Sequence, residues 1–231
     1  MEGWPKIETE MSTFNIQDLG LLEYGQAWDL QRQTHREVVN GGTPTLLLVE
    51  HPAVVTLGRK PGSEGHILAS PEFLSNLGIG VHHIERGGDV TFHGEGQLVG
   101  YPIFPVGRKV RDFLRKLENV LISTLAAYGL QAHGNEGYAG VYVGEEKIAS
   151  LGIAIKNHVS LHGFALNVNT HLEYFDYIVP CGLGDVRMTS LERLLGTPQS
   201  MEDVKAHICT YFQLEFAHYD WSVPKTLALP E

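Results

Sequence analysis

The sequence predicts an α+β fold with a largely antiparallel sheet packed with helices, and three observations carry that reading. Apolar residues at helical spacing are interleaved with short β-branched runs. Two of those runs face each other across a glycine-led turn, which reads as a hairpin. No regular strand–helix–strand alternation is present to build a parallel sheet.

In chain order, Tyr24, Ala27, Trp28, His35, Val38 and Val39 recur at helical spacing before Gly41-Gly42, predicting a helix over about 23–40. Thr45–Val49 and Ala53–Leu57 are apolar runs of strand length. A loop, GRKPGSEGHIL, follows, then a short helix opened by Pro71 and a strand near Gly80–Glu85. Val110, Phe113, Leu114, Leu117, Leu121, Leu125 and Tyr128 form the strongest apolar stripe, closed by Gly129 at the position after a helix end. Val141–Val143 and Lys147–Ile155 flank Gly144-Glu145-Glu146 as the hairpin, and Val159–Val168 continues in strand-like alternation. Thr189-Ser190-Leu191-Glu192 has the form of a capping box, and Ser200 opens a further helix with Met201, Val204, Ile208 and Phe212 on one face. One domain over 1–231 accounts for the pattern, with 190–231 able to form a small helical lobe.

Composition narrows the function classes. At 43% hydrophobic and 19% charged residues the chain is an ordinary packed globule, which excludes disordered and fibrous classes. A net charge of −10 leaves no electrostatic footprint for nucleic acid or an anionic membrane. Met1–Thr13 has no apolar core behind a positive flank, and no apolar run approaches the roughly 18 residues of a membrane span. The expectation is a soluble, cytoplasmic protein whose two cysteines, Cys181 and Cys209, are free thiols.

Cys181 stands in YIVPCGLGD, between a proline and a glycine, where backbones turn and side chains are presented. That placement makes it a candidate nucleophile, whereas Cys209, in the helical pattern VKAHICTYF, reads as core packing or a surface thiol. The block RGGDVTFHGEGQ, from Arg86 to Gln97, reads as a glycine turn, a short strand and a second glycine turn. Its glycines admit a ligand or another backbone and free amide groups for an oxygen, or else it is a plain hairpin with polar residues facing water. Lys147 lies inside an apolar strand, either at a solvent-facing alternate position or with its head in a pocket, where a cation lowers a cysteine pKa. Twelve histidines have no metal-ligand spacing: His82-His83 point to opposite faces of a strand, and His93 and His162 flank glycines as pocket-lining or structural residues. No metal site is expected.

Three blocks in order, RGGDVTFHGEGQLVGYPI, KIASLGIAIKNHVSLHGFALNVN and VPCGLGDVRMTSL, resemble the lipoate-biosynthesis octanoyltransferases over about Leu22 to Leu195. The resemblance implies a mixed sheet packed with helices, as in lipoate-protein ligases and biotin-protein ligases. It implies transfer of octanoyl from octanoyl-acyl carrier protein to a lysine of lipoyl domains in 2-oxoacid dehydrogenase complexes and the glycine-cleavage H protein. No cofactor or ATP is needed, and a monomer is expected. Cys181 takes the place of the acyl-carrying cysteine and Lys147 that of the lysine tuning it. Arg86, Gly87, Gly88, Asp89, Val90, Thr91, Phe92 and His93 take the place of acyl-binding residues. So do Ser150, Leu151 and Gly152 after the lysine, and Gly163, Phe164 and Ala165 in the next strand. Glu95 stands where the family has proline, and Asp185–Met188 replaces a small Gly-Val pair before Thr189.

The implied chemistry suits these residue types. A cysteine thiolate accepts acyl from a thioester with little change in free energy, and an amine then attacks the acyl-enzyme. A free cysteine, with a pKa of about 8.5, gains a thiolate majority at pH 7 from a two-unit depression. Amides near Gly182 or in the glycine block are candidates to hold the tetrahedral oxyanion. Burying the chain contributes about 0.8 kcal/mol per CH₂, and strand glycines offer it bare backbone. An ATP-dependent lipoate- or biotin-protein ligase of the same fold is the alternative; its arginine-rich nucleotide signatures are missing here. Arg59, Lys60, Arg108, Lys109 and Arg111 are the basic residues for an acidic carrier to meet.

Overall fold

A computed structural model describes residues 14–135, 139–179 and 186–219. Its strands form a seven-stranded sheet in the order β1-β2-β6-β10-β9-β8-β7 and a three-stranded sheet in the order β4-β3-β5. The large sheet is made of β1 (Asn15–Leu21), β2 (Thr45–Glu50), β6 (Gln97–Ile103), β7 (Ala132–Gly134), β8 (Gly140–Val143), β9 (Glu146–Lys156) and β10 (Val159–Asn167). Only β1 and β2 run parallel in it; its other pairs are antiparallel. The small sheet pairs β3 (Val54–Leu57) in parallel with β4 (Gly80–His83) and antiparallel with β5 (Val90–His93). The α+β architecture read from the sequence is therefore present.

Alternation along β2 explains the layering. Leu46 and Leu48 join one apolar cluster and Leu47 and Val49 the other, because successive strand side chains point to opposite faces. On the first face lie α3 (Val110–Ala127) and α5 (Met201–Phe216), which interlock through Phe113, Phe212 and Phe216 around Phe104. On the second lies α1 (Tyr24–Val39), which contributes Ala27 and Val38. The small sheet has its own core, where Val55, Leu57, Val90 and Phe92 meet Leu74 of α2 (Pro71–Asn76) and Phe175 of the 3₁₀ turn Leu172–Tyr177.

Helix ends follow their signals. Ser70 and Ser200 cap α2 and α5 by accepting from the amides of Phe73 and Asp203. The cap of α4 (Leu191–Leu195) is Ser190, which accepts from the Arg193 amide, and not Thr189 as the capping-box pattern suggests. Thr189 is occupied elsewhere: its amide donates to the Lys147 carbonyl at 2.9 Å. Among the described residues no helix is long and apolar enough to cross a membrane.

Candidate active site

The small sheet packs its Arg86–His93 edge over the α1 face of the large sheet, leaving a cleft between them. The docking is backbone to backbone. The Gly87 amide donates to the Ile153 carbonyl of β9 at 3.0 Å, and within the small sheet the Gly58 amide donates to the Asp89 carbonyl at 3.1 Å, continuing the β3–β5 ladder. A Cβ at Gly152 would stand 3.1 Å from the Gly87 carbonyl oxygen, and one at Gly58 would collide with the Gly88 carbonyl. Glycine is needed here so that two chains can approach, the use that P-loop-like and sheet-crossing glycines share. Gly163 is similarly filled, by Gly100 and Pro102 of β6. The bare backbone at these strand positions is thus spent on protein packing.

Arg86 is buried and forks into β3: Nη2 donates to the Thr56 carbonyl at 2.8 Å and to Thr56 Oγ1 at 3.1 Å, while Nη1 donates to the Gly87 carbonyl at 3.1 Å. Asp89 braces the same loop from the far side. Its carboxylate accepts from the Val90 amide at 2.8 Å and pairs with Lys60 at 3.0 Å and His66 Nδ1 at 2.8 Å. Burial works against the charge, but His66, Lys60 and the Val90 amide outweigh it and hold the carboxyl down at about 2.

Arg86, Gly87, Gly88, Asp89, Val90, Thr91 and His93 line the cleft from above, and Ser150–Gly152 with Gly163–Ala165 line it from the sheet. Phe92 faces away, stacked on Tyr174 with ring centroids 5.0 Å apart. Further walls come from Tyr24, Val99, Tyr101 and His162, which the sequence motifs left out of the pocket apart from His162. The available signal was burial-pattern polarity: a histidine and a tyrosine inside otherwise apolar strand runs. Behind the wall, His51 Nδ1 donates to the Leu22 carbonyl and Nε2 accepts from the Tyr101 hydroxyl, both at 2.7 Å. Burial pushes His51 down to about 4. His162 holds φ at +60°, rare for a residue with a Cβ, with its amide bonded to Gln31 Oε1 at 3.0 Å. Its Nε2 lies 3.8 Å from the Glu85 carboxylate.

A run of carboxamides leads inward from the cleft. His93 Nδ1 lies 2.7 Å from Gln97 Oε1, Gln97 Nε2 donates to Asn167 Oδ1 at 2.9 Å, and Asn167 Nδ2 donates to the Thr189 carbonyl at 2.9 Å. Backbone carbonyls only accept, so the Thr189 carbonyl fixes which way Asn167 faces, and the Phe92 carbonyl, 3.3 Å from Gln97 Nε2, does the same for Gln97. His93 Nδ1 must then carry the proton and Nε2 the lone pair. Burial and the neighbouring His51 ring push His93 down to about 3, so the ring is neutral.

Lys147 is 1% exposed, so the solvent-facing option for this position does not hold. Its stem crosses Gly140 of β8, where a Cβ would stand 2.5 Å from Cε and 3.1 Å from Nζ, and its ammonium lies 5.9 Å from the Tyr142 ring centroid. Gly140 is the register partner of Ser150, so the lysine stem runs along the sheet toward the cleft-lining part of β9. Cys181 lies outside the described residues. Its flanks do not: the Val179 amide donates to the His66 carbonyl at 2.7 Å, and the returning chain pairs with Lys147, whose amide donates to the Arg187 carbonyl at 2.8 Å. Cys209 is half-buried in α5, and burial raises its pKa, the opposite of what a nucleophile needs. Among the described residues no three His, Cys, Asp or Glu side chains are grouped to hold a metal ion.

Comparison with known proteins places the chain in a family and its fold among known folds. The family model described as "Lipoyl protein ligase A/B catalytic domain" matches residues 23–213. An octanoyltransferase of Deinococcus radiodurans is 52% identical over 96% of this chain and 70% of its own length. One from Caldicellulosiruptor bescii is 48% identical over 86% of this chain and 89% of its own. Among solved structures, lipoate-protein ligase A bound with ATP superposes with a TM-score of 0.75 at 17% identity, covering 91% of this chain and 87% of that one. Biotin protein ligase from Aquifex aeolicus in complex with biotin and ATP reaches 0.52 at 12% identity, over 91% and 73%. These structural likenesses show a shared mixed sheet packed with helices.

Proposed function

The chain belongs to the lipoyl protein ligase A/B catalytic-domain family and is an acyltransferase of the octanoyltransferase type; from that premise we propose that it transfers octanoyl from octanoyl-acyl carrier protein to a lysine of a lipoyl domain through a thioester on Cys181. In this reading the Cys181 proton passes to Lys147, leaving a thiolate beside an ammonium. The thiolate attacks the donor thioester carbon, and the departing carrier thiolate takes a proton from the Lys147 ammonium. The acceptor lysine amine attacks the acyl-enzyme, its proton goes to the Lys147 amine, and the Cys181 thiolate is released. Acyl exchange between thioesters is close to isoenergetic, so no ATP is consumed. The Arg86–His93, Ser150–Gly152 and Gly163–Ala165 walls hold the acyl chain. Lipoyl domains of 2-oxoacid dehydrogenase complexes and the glycine-cleavage H protein are the acceptors.

The observation that supports this most is Lys147. A lysine buried to 1% exposure between apolar strands is costly, and buried lysine amines are the ones that serve as general bases. Both strand bonds of that residue go to the segment in which the chain returns from the cysteine loop. The test is intact mass after incubation with octanoyl-acyl carrier protein, with and without ATP. The expected result is an ATP-independent gain of one octanoyl group, removed by hydroxylamine and absent in Cys181→Ala; no adduct on the native chain would refute the thioester route.

Gly140→Ala provides a geometric check. The added methyl would meet Lys147 Cε at 2.5 Å and the Ala149 carbonyl oxygen at 2.9 Å, so the lysine head must move. Misplacement of about 1 Å costs up to about 10²-fold in turnover. Steady-state kinetics should show that loss in kcat; an unchanged kcat would mean that the path of the stem over Gly140 is immaterial.

A further inference from the structure

The proposed chemistry needs Lys147 and the cysteine loop to keep one register, and the backbone bonds between β9 and the returning chain are few: the Lys147 amide to the Arg187 carbonyl and the Thr189 amide to the Lys147 carbonyl. Both of these bonds involve Lys147 alone, and they leave the Thr189 carbonyl to be held from elsewhere. A third restraint comes from a different strand. Asn167, at the C-terminal end of β10 and 1% exposed, donates from Nδ2 to the Thr189 carbonyl at 2.9 Å. Thr189 is therefore gripped at both backbone polar groups, its amide by Lys147 and its carbonyl by Asn167.

The carboxamide of Asn167 has a single allowed orientation. Gln97 Nε2 donates to its Oδ1 at 2.9 Å while also donating to the Phe92 carbonyl at 3.3 Å, and Gln97 Oε1 accepts from His93 Nδ1 at 2.7 Å. Every donor in this run points the same way, from His93 toward Lys147, so each bond polarises the next in its favour. All four residues are buried, Gln97 at 2% and Thr189 at 0% exposure, so water does not compete for the groups.

We propose that Asn167 is a positioning residue for acyl transfer: oriented by Gln97, it pins the Thr189 carbonyl and so fixes the register in which the chain returns from the cysteine loop along Lys147. This rests on the reading of Lys147 and Cys181 given above. Removing the clamp leaves the cleft walls and both reacting groups in the chain but loosens their spacing. Transfer kcat then falls, by about 10²-fold for a displacement near 1 Å, with KM little changed, and the pH midpoint for Cys181 alkylation rises.

The test compares Asn167→Leu, which keeps volume and charge, and Gln97→Leu, which frees Asn167 without touching the Thr189 contact, with Lys147→Ala. Gln97→Leu also takes the acceptor from His93 in the cleft wall, so KM is read on Asn167→Leu alone. Each is read by kinetics, by the pH profile of Cys181 alkylation with iodoacetamide, and by thermal melting. Loss of two buried hydrogen bonds lowers the melting temperature whatever their role, so melting alone decides nothing. The proposal predicts that both neutral variants raise the alkylation midpoint, and that Asn167→Leu adds no further rise in a Lys147→Ala background. If Lys147→Ala moves the midpoint and neither amide variant does, the positioning role is overturned while the cysteine–lysine reading stands. If Lys147→Ala leaves it unmoved, that reading falls and the positioning role falls with it. Should Asn167→Leu fail to fold, Asn167→Ser and Gln97→Leu carry the same comparison.

Discussion

Lys147→Ala is expected to slow octanoyl transfer by about 10³-fold, the middle of the range that a positioned proton-transfer group supplies. The effect should fall on kcat, because the side chain runs over Gly140 and Tyr142 behind the cleft wall and is not among the residues lining the cleft. Truncation also leaves a hole in packed surroundings, so Lys147→Met is the needed companion: it retains most of the stem and deletes the amine. If the amine carries the proton, the two variants are equally slow and both shift Cys181 alkylation to higher pH. A Lys147→Met enzyme that turns over like the native chain would sink the role, and would mean that the stem matters only as packing. Single-turnover mass spectrometry then separates the two half-reactions. Both should slow if, as proposed, the same amine donates to the departing carrier thiolate and accepts from the incoming lysine.

Most of the elements were legible in the sequence because their signals are local. The stripe from Val110 to Tyr128 ends at Gly129, whose φ of 76° is the left-handed stop the pattern implies. The hairpin at Gly144 and the serine caps of α2 and α5 are equally local. What escaped was strand character without alternation. β6 reads QLVGYPI, buried at every position, and Gly100 and Pro102 make it look like a loop. Gly100 is there because the Phe164 ring of β10 lies where its Cβ would be, a non-local cause. β1 escaped for the opposite reason: with Asp18 and Gly20 it is an edge strand with mixed exposure and weak alternation.

The same division applies to the site. The glycine block, the lysine and the strand glycines stand out as motifs, and the fold gathers Arg86–Thr91 and His93 with Ser150–Gly152 and Gly163–Ala165 around one cleft. Burial of Lys147 was not legible, because it depends on Gly140, a residue of a neighbouring strand that leaves space for the stem. Nor was the Gln97–Asn167–Thr189 run, whose members are 70 and 22 residues apart. Hydrogen-bond complementarity between distant amides has no periodicity to betray it.

Acidification should destabilise this protein well above the pKa range of its carboxylates, and the cause is the pair of buried neutral histidines behind the cleft. In the unfolded chain both His51 and His93 titrate near 6.5. In the folded chain burial pushes His51 to about 4, and burial with the adjacent His51 ring pushes His93 to about 3. Between those values the unfolded state binds protons that the folded state refuses, so stability rises with pH there and is lost as pH falls below 6.5. Each refused proton costs about 1.4 kcal/mol per pH unit. From pH 6.5 to 5 the two together remove about 3 kcal/mol, a large share of a typical domain stability and on the order of 10 °C in Tm. Asp89, held at about 2, contributes in the same direction but only once pH drops below about 4, so its window is distinct. Thermal melting from pH 7.5 to 4.5 should therefore show a decline that begins near 6.5. His51→Asn, which presents a donor to the Leu22 carbonyl and an acceptor to the Tyr101 hydroxyl without titrating, should roughly halve the slope. A flat melting temperature down to pH 5 would mean that these rings find water or protons in the folded state, and that the wall behind the cleft is wetter than its packing implies.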